Sequence, residues 1–303
     1  MSQAEQKIQT PNYRAMVAAL DASGDYRVLR RLAVRSVIGA YDGSETRLGL
    51  FVDVETTGLD ASRDEIIELA MVPFTYSVDG RIFSIHEAFQ KLREPTRLIP
   101  AAITVLTGIT NEMVAGKVID PAEVAAFADS ADLVVAHNAA FDRRFAERFD
   151  NVFVHKPWAC SMSQIEWQNE GYEGTKLAYL AMGAGFFYDR HRAANDCVAA
   201  IELLAAPLPK SGGTGMSRLL EAARRPAWRV WAVNSPFELK DELKARGYRW
   251  NGDGGPSSKA WYIDVGEDAK ERELAYLRSQ IYQRDIELTV QKISAYERFS
   301  DRI

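Results

Sequence analysis

The chain has 303 residues and a formal net charge of −5, with 47% apolar and 26% charged residues, the composition of an ordinary globular protein of about two domains. The start MSQAEQKIQT lacks the apolar stretch of a signal peptide, and no apolar run reaches the roughly 18 residues that cross a bilayer, so we expect a cytoplasmic protein without a membrane span. Its two cysteines, Cys160 and Cys197, are too few for a disulfide framework or a thiolate metal site.

Residues 1–45 are polar and predict a helical N-terminal extension. Their segments YRAMVAAL and DYRVLRRLAV place apolar residues three and four positions apart, which is the spacing of one helix face. From Arg47 onward, RLGLFVDV, IIELAMVPFTY and RIFSIHEAF are rich in β-branched and aromatic residues and predict three strands. The Asp-Gly pair of SVDG, between the second and third strands, predicts a hairpin turn.

Helices and strands then alternate. Residues 100–110 and 121–130 predict helices, and DLVVAH predicts a short buried strand that ends at His137. Asn138 can cap a helix over AAFDRRFAERF, and two further helices cover KLAYLAM and the stretch from about 192 to 206. This order predicts an α/β domain over residues 46–206, with helices flanking a mixed sheet.

A second, smaller unit follows. Residues 207–226 begin with a stretch rich in Pro, Gly and Ser and predict a linker. In residues 227–303, WRVWAV, YRWN, KAWYIDV and IELTVQKI predict strands and PFELKDELKARG predicts a helix, so we expect a small α+β module. Between Ser217 and Tyr262 there are nine Lys and Arg but five Asp and Glu, which predicts either a nucleic-acid face or a solvated surface.

Two carboxylates stand at the end of the first predicted strand, in FVDVETTGLD. Side chains two positions apart share one face of a strand, so Asp53 and Glu55 point to the same side. Like charges this close suppress each other's ionisation unless a cation lies between them. Hard divalent cations such as Mg²⁺ take oxygen ligands, so we interpret the pair as part of a metal site; two solvated acids at a strand end are the alternative.

Two more acids and a histidine can join this pair. Asp142 falls in the first turn of the helix after DLVVAH, where the helix dipole favours an anion. Asp196 follows His191 by five residues, and on one continuous helix the two side chains would point about 140° apart. We therefore expect His191 in the loop or cap before that helix, where it can reach the same site.

FVDVETTGL, HNAAFD and HRAAND, in this order, resemble the three exonuclease motifs of the DEDDh family of 3′-5′ exonucleases, which includes the epsilon proofreading subunit of bacterial DNA polymerase III. The resemblance covers residues 47 to about 206 and implies a ribonuclease-H-like fold. It maps the four metal-binding acids and the general base onto Asp53, Glu55, Asp142, Asp196 and His191. A sister subfamily has Tyr four residues before the last Asp; Arg192 occupies that position here and favours the His class.

The resemblance also implies a mechanism with two Mg²⁺ or Mn²⁺ ions about 3.5 to 4 Å apart. His191 would accept the proton of the attacking water near neutral pH. The expected reaction is hydrolysis of phosphodiester bonds from DNA 3′ ends, single-stranded ends above all, with release of nucleoside monophosphates in repair or proofreading.

Further residues are candidates for holding the substrate. Polar side chains beside the acids could contact the terminal nucleotide, or serve as turn and cap residues: Thr56, Thr57, His137 and Asn138. The segment LTGIT resembles the family's stretch that packs against the terminal nucleotide, here through Thr107 and Ile109, although a buried turn would have the same sequence pattern.

In the second module, aromatic residues interleave with cations, as single-strand binding requires; a small core built on tryptophan is the alternative. The candidates for DNA contact are Trp231, Trp250, Trp261, Arg246, Arg249 and Lys259. FELKDELKARGYRWN followed by KAWY resembles the small HARP-like module of annealing helicases and some nuclease-associated proteins. Such a module would help to place DNA ends in the exonuclease site.

Other functions stay open at this level. An RNA 3′-5′ exonuclease of the same fold would carry the same motifs, because nothing in them senses the 2′-hydroxyl. A non-catalytic, polymerase-associated DNA-binding adaptor would be expected to lack a ligand, whereas all five residues are present. The sequence does not decide between a polymerase and a repair complex as protein partner, nor does it fix the preferred DNA end or the oligomeric state.

Overall fold

The computed structural model describes residues 12–252 and 259–303. The Gly-rich turn expected between YRWN and KAWYIDV falls largely outside these ranges. Within them, no helix is both long and apolar enough to cross a membrane.

The elements follow one another in this order: α1 (Tyr13–Ser23), β1 (Arg30–Arg31), β2 (Thr46–Thr56), β3 (Ile66–Ser77), β4 (Ile82–Ile85), β5 (Phe89–Leu92), α2 (Ala101–Thr107), α3 (Asn111–Val114), α4 (Pro121–Ala128), β6 (Leu133–Ala136), α5 (Ala139–Phe149), β7 (Trp158–Cys160), α6 (Leu177–Gly183), β8 (Phe186–Phe187), α7 (Ala193–Ala205), α8 (Gly215–Arg224), β9 (Ala227–Ala232), α9 (Lys240–Ala245), β10 (Arg249–Asn251), β11 (Ala260–Gly266), α10 (Glu267–Tyr276) and β12 (Val290–Ile293). Short 3₁₀ helices cover Asn151–His155 and Phe237–Leu239, and a π-helical turn covers Leu277–Tyr282.

Six strands form one mixed sheet in the order β4-β3-β2-β6-β7, with β5 also paired to β3. β2 runs antiparallel to β3 and parallel to β6, which in turn is parallel to β7. The predicted hairpin turn closes with a hydrogen bond from the Gly80 N–H to the Ser77 carbonyl. The predicted α/β fold, a ribonuclease-H-like mixed sheet flanked by helices, is confirmed.

Alternation along β2 divides the core between the two faces of this sheet. Leu50, Val52 and Val54 pack on one face with residues of α4 and α5. Phe51 packs on the other face with residues of α7 and α8. Asp53 and Glu55 continue the Phe51 series, so β2 carries both acids to the face that α7 covers.

The N-terminal region is only partly helical. α1 forms, but none of its residues is buried. The second helix predicted over DYRVLRRLAV is wrong: these residues are not helical, and Arg30 and Arg31 pair in parallel with Phe186 and Phe187. Distant partners hold the segment instead, because the Arg27 guanidinium donates to carbonyls of α6 and β1 pairs with β8.

The predicted linker also differs from the structure. Residues 215–224 form α8, which begins where the Thr214 side chain accepts the Ser217 N–H. Met216 and Leu219 of this helix are fully buried in the core on the α7 face. The apolar spacing in GMSRLLEAAR outweighs the preceding Pro and Gly, so α8 packs as part of the domain built on the six-stranded sheet.

The C-terminal module contains a four-stranded antiparallel sheet in the order β10-β11-β9-β12. Its core joins β9 to the helices through Val230, Ala232, Leu243 and Leu274. The predicted α+β composition is therefore present, while the domain boundaries and the HARP-like resemblance stay predictions.

Candidate active site

Three acids meet where β2 ends beneath the first turn of α7. Asp53 and Glu55 come from β2 and Asp196 from α7, and one carboxylate oxygen of each lies within 4.8 Å of the other two. Strand alternation fixes the first two side chains, and the start of α7 fixes the third. The structure thus brings together acids that lie 141 and 143 residues apart in the sequence.

Asp142 approaches the same strand end from the opposite face. It lies in the first turn of α5 and is buried. Its Oδ1 accepts the Val54 N–H over 3.2 Å, which places it beside the backbone between Asp53 and Glu55. All four acids predicted from the sequence therefore surround one strand end.

Burial makes ionisation of this cluster costly. Desolvation, with repulsion from Asp142 and Asp196, raises the pKa of Asp53 well above its ordinary value. Burial raises the pKa of Glu55 to about 8 and that of Asp142 to about 8. Like charges in a desolvated site favour protonation unless a cation neutralises them.

The donor set fits a divalent cation. Among the described residues, no Lys or Arg forms an ion pair with any of the four acids. The Asp196 Oδ2 is buried without a hydrogen-bond partner in the described part of the chain. Carboxylate oxygens are the ligands that Mg²⁺ and Mn²⁺ prefer. The cluster therefore offers the hard oxygen ligands that a divalent cation requires.

Tyr188 is a member of the site that the sequence did not reveal. Its hydroxyl donates to the Asp196 Oδ1 over 2.7 Å, which leaves the other carboxylate oxygen free. Burial raises the pKa of Asp196, and the bond from Tyr188 and the nearby charge of His191 offset part of that rise. No local pattern marks Tyr188, because eight residues and the start of a helix separate it from Asp196.

A second buried acid organises the loop before α7. Glu68 pairs with Glu55 across the β2–β3 ladder and has none of its surface exposed. Its carboxylate accepts from Arg192 over 3.0 Å, from the Ala193 N–H over 3.1 Å and from Gln90 over 2.7 Å. Arg192, the residue that favours the His class, thus has a structural partner.

His191 lies in the loop immediately before α7, as the spacing to Asp196 predicted. Its backbone is left-handed, with φ of 60°, and its side chain is half-buried. The ion pair of Arg192 with Glu68 fixes the next residue. His191 therefore lies close enough to Asp196 for its charge to act on that carboxylate, and the residue after it is anchored to Glu68.

The two threonines after Glu55 shape the loop that follows β2. Thr56 is buried and donates to the Gly58 carbonyl over 2.5 Å. The Thr57 hydroxyl donates to Asp64 and accepts the Glu65 N–H. Both hydroxyls have loop-forming partners, and the half-buried Thr57 is the more accessible to a ligand.

His137 and Asn138 occupy the turn between β6 and α5. The two nitrogens of His137 bond to the Ser161 hydroxyl over 2.9 Å and to the Thr175 carbonyl over 2.8 Å. Burial lowers the pKa of His137 to about 4, so it is neutral at neutral pH. Asn138 precedes α5 with φ of 107° but makes no capping hydrogen bond, so its predicted capping role is wrong.

LTGIT forms the buried turn that was the alternative interpretation. The Thr107 hydroxyl donates to the Ile103 carbonyl and accepts the Ile109 N–H. Ile109 is fully buried in a core cluster with Ile67 and Val114. The prediction that Ile109 contacts a nucleotide is wrong, because it has no exposed surface.

The predicted DNA-contact residues of the C-terminal module divide into buried and exposed groups. Trp231 is 3% exposed and packs against Tyr262, so its predicted DNA contact is wrong. Arg246 makes a bidentate ion pair with the buried Glu273 and is held within the module.

An exposed group remains on β10 and the start of β11. Trp250 is 53% exposed and meets Trp261 edge to face, with ring centroids 5.7 Å apart. Arg249 and Lys259 are exposed beside them. These four residues form an aromatic and cationic surface, which we call the β10–β11 surface.

Comparison with known proteins agrees with this geometry. Residues 50–204 match the family model described as Exonuclease, of RNase T type. The chain is 35% identical over 149 residues to the DNA polymerase III PolC-type of Latilactobacillus sakei subsp. sakei (strain 23K), covering 47% of this chain and 10% of that protein. It is 30% identical over 159 residues to the DNA polymerase III subunit epsilon of Aquifex aeolicus (strain VF5), covering 50% of this chain and 76% of that protein.

Among solved structures, Exonuclease X in complex with 5′ overhanging duplex DNA is 26% identical, with 57% of this chain and 98% of that chain covered and a TM-score of 0.43. Of the curated relatives, the chain spans about a tenth of the length of the PolC-type polymerases and about three quarters of the length of the epsilon subunit.

Proposed function

Because the chain belongs to the RNase T-type exonuclease family, whose model matches residues 50–204, we propose that it is a metal-dependent 3′-5′ exonuclease that acts on DNA. The observation that carries this proposal is the meeting of the partly buried Asp53, Glu55 and Asp196 with the buried Asp142, none of which forms an ion pair with Lys or Arg among the described residues. Structural acids are paired with cations when they are buried, whereas three of these acids each bring one oxygen within 4.8 Å of the others, as the ligands of a shared cation would be.

The four acids would hold two divalent cations, Mg²⁺ or Mn²⁺. When bound, such ions neutralise the scissile phosphate and lower the pKa of water. Tyr188 orients Asp196 by occupying one of its oxygens, and the Val54 N–H does the same for Asp142. The Oδ2 of Asp196 is thereby left without a hydrogen-bond partner in the described part of the chain.

His191 is the group proposed to accept the proton of the attacking water. The water oxygen forms a bond to phosphorus, the bond from phosphorus to the 3′ oxygen breaks, and a nucleoside monophosphate leaves. The Arg192–Glu68 ion pair beside it limits the motion of the loop. Proton transfer to a positioned histidine contributes about 10² to 10⁴-fold to rate.

The terminal nucleotide is proposed to lie over the β2–α5 edge of the site. Thr57 is half-buried there and Asn138 is exposed, and both have polar groups that could meet a ligand. Thr56, His137 and Thr107 are proposed to support this edge, since each is already bonded within the protein. The incoming single strand would then meet the β10–β11 surface, where bases stack on tryptophan and phosphates meet cations.

DNA is proposed as substrate because both curated relatives described above are DNA polymerase III proteins. The same similarity supports a polymerase or a DNA repair complex as protein partner. Such an enzyme would work in the cytoplasm, as the sequence predicts. The proposed organisation is an exonuclease domain joined to a C-terminal module that presents DNA.

The test is a digestion of single-stranded DNA labelled at its 3′ or its 5′ end, with Mg²⁺, with Mn²⁺ or with EDTA. We expect the 5′-labelled strand to shorten stepwise and the 3′-labelled strand to release labelled mononucleotide at once, only with metal. Asp53→Asn is the inactive control, and an RNA strand of the same sequence tests the choice of sugar. No metal-dependent shortening from the 3′ end would refute the proposal.

A further inference from the structure

Residues 294–303, which we call the C-terminal segment, follow β12 and lie against the exonuclease domain. The Trp158 N–H of the edge strand β7 donates to the Ala295 carbonyl over 2.8 Å. The Phe299 ring packs against the core on the α5 face. Phe299 has a left-handed backbone, with φ of 73°, a strained conformation for a bulky residue that persists only where the surroundings hold it. The segment is therefore built into the domain.

Arg143, the residue after Asp142 on α5, anchors this segment. Its side chain is fully buried. Its Nη1 donates to the Arg298 carbonyl over 2.7 Å and to the Ala295 carbonyl over 3.3 Å, and its Nη2 donates to the Tyr296 carbonyl over 2.6 Å. Three backbone carbonyls of the C-terminal segment thus converge on one guanidinium.

Glu147 completes the arrangement one helical turn further along α5. The Arg143 Nε donates to the Glu147 Oε1 over 2.6 Å, and the Arg302 Nη1 lies 2.6 Å from the Glu147 Oε2. Among residues 12–252 and 259–303, every hydrogen-bond partner of the Arg143 guanidinium therefore lies on α5 or on the C-terminal segment. Without the segment, a buried cation would lose most of its acceptors, and α5 would have to move to expose it.

We propose that the C-terminal segment positions Asp142 for metal binding by holding Arg143. The two residues are consecutive on α5, and from the other side Asp142 is held by the Val54 N–H. A misplacement of about 1 Å in a catalytic group can lower a rate about 10²-fold. The segment lies outside residues 50–204, so the working exonuclease domain extends beyond the part that defines the family.

This inference rests on the proposed function for the metal-binding role of Asp142. Its test compares full-length Arg143→Gln and Phe299→Ala with Arg144→Gln. Arg144 is the next residue of α5, carries the same charge, is half-exposed and pairs with Asp301 of the same segment. Arg144→Gln therefore controls for the removal of one positive charge from α5 and for the loss of one exposed ion pair with the C-terminal segment. The measurements are the melting temperature, Mn²⁺ affinity by titration calorimetry, and kcat and KM on a short single-stranded DNA.

We expect Arg143→Gln and Phe299→Ala to weaken Mn²⁺ binding about tenfold and to lower kcat about 10²-fold at temperatures where they remain folded. KM should stay within about twofold, because no proposed DNA contact is changed. Arg144→Gln should match the wild type in Mn²⁺ affinity and kcat, and Arg143→Lys, which keeps the charge without the planar fork, should fall between.

Folded Arg143→Gln and Phe299→Ala proteins with wild-type Mn²⁺ affinity would overturn the inference. If Arg143→Gln does not fold, Arg143→Lys and Phe299→Leu decide the matter by the same affinity measurement. A wild-type chain that binds Mn²⁺ but digests no DNA would refute the proposed function alone, because the affinity readout does not depend on hydrolysis.

Discussion

The exonuclease domain and the C-terminal module both bury charged side chains, but the acids at the end of β2 lack the ion-pair partners that the buried charges of the C-terminal module have. In the C-terminal module, Arg229 is almost fully buried and makes two hydrogen bonds to Asp264. Its guanidinium also lies 4.1 Å from the Tyr262 ring centroid. In the exonuclease domain, four acids meet and no cationic side chain of the described residues pairs with them.

This difference separates a structural charge from a functional one. A buried ion pair with complete hydrogen bonds needs nothing further. A group of like charges shielded from solvent is unfavourable unless a cation binds among them. By this criterion, Trp231 and Arg246, which suggested a DNA-binding face, serve the interior of the module, and the acids at the end of β2 have the character of a binding site.

The largest effects are expected when one acid is neutralised in each region, Asp53 in the exonuclease domain and Asp264 in the C-terminal module. Asp53→Asn should lower kcat by about 10³-fold or more, because a metal ligand is lost, while the melting temperature of the metal-free protein should hold or rise as repulsion is relieved. Asp264→Asn should keep its activity but lose about 3 kcal/mol of stability, because it leaves Arg229 buried and unpaired. Digestion rates measure kcat and chemical denaturation measures the free energy of unfolding. Equal effects of the two variants on activity would contradict the distinction between a functional and a structural acid.

Within the exonuclease domain, substitution of His191 separates the proposed proton transfer from metal binding. We expect His191→Ala to lower kcat by about 10²-fold or more, since the proton acceptor is removed, without changing Mn²⁺ affinity. Single-turnover digestion and titration calorimetry measure the two quantities separately. A parallel fall in Mn²⁺ affinity would mean that His191 acts on the metal ligands and not on the water.

Two tryptophans test the same contrast in the C-terminal module. Trp250→Ala should raise KM for single-stranded DNA by about fivefold or more with kcat unchanged, because stacking on an exposed ring contributes about 1 to 3 kcal/mol per base. Trp231→Ala should instead cost about 3 to 5 kcal/mol of stability, because its ring is buried. KM from digestion at two salt concentrations and unfolding midpoints distinguish them. An unchanged KM for Trp250→Ala would remove the β10–β11 surface from the proposed DNA path.

The smallest expected effect is on pH dependence without metal. Because burial raises the pKa values of Glu55 and Asp142 to about 8, the folded protein holds more protons than the unfolded chain above about pH 4. The stability of the metal-free protein should therefore fall as pH rises from about 5 to 8. Melting temperatures in EDTA across this range measure the slope, which Mn²⁺ and Glu55→Gln should each reduce. A stability that increased with pH would contradict the burial of uncompensated acids.

The sequence predicted what depends on short-range geometry. Strand alternation places Asp53 and Glu55 together, a helix start places Asp142, and the five-residue spacing puts His191 in a loop. It missed what depends on distant contacts: Glu68 meets Arg192 across 124 residues, and no local pattern signals that pairing.

The errors have the same origin. The local patterns of LTGIT and DYRVLRRLAV are each compatible with more than one structure. Contacts with distant residues determine which structure each segment adopts. Composition places Trp231 in a DNA-binding surface, whereas its exposure depends on what covers β9. The Pro and Gly of the predicted linker gave no indication of the apolar face of α8, which begins a few residues later.

The contacts of Arg143 also bear on when the enzyme matures. Its carbonyl acceptors on Ala295 and Arg298 come 152 and 155 residues later in the chain. At about 5 to 20 residues per second, ribosomal synthesis separates them by roughly 8 to 30 s. During that interval the backbone carbonyls that bind the Arg143 guanidinium in the folded protein are not yet available to it. If the C-terminal segment positions Asp142 as proposed, the metal site would be completed only after residues 294–303 have been synthesised.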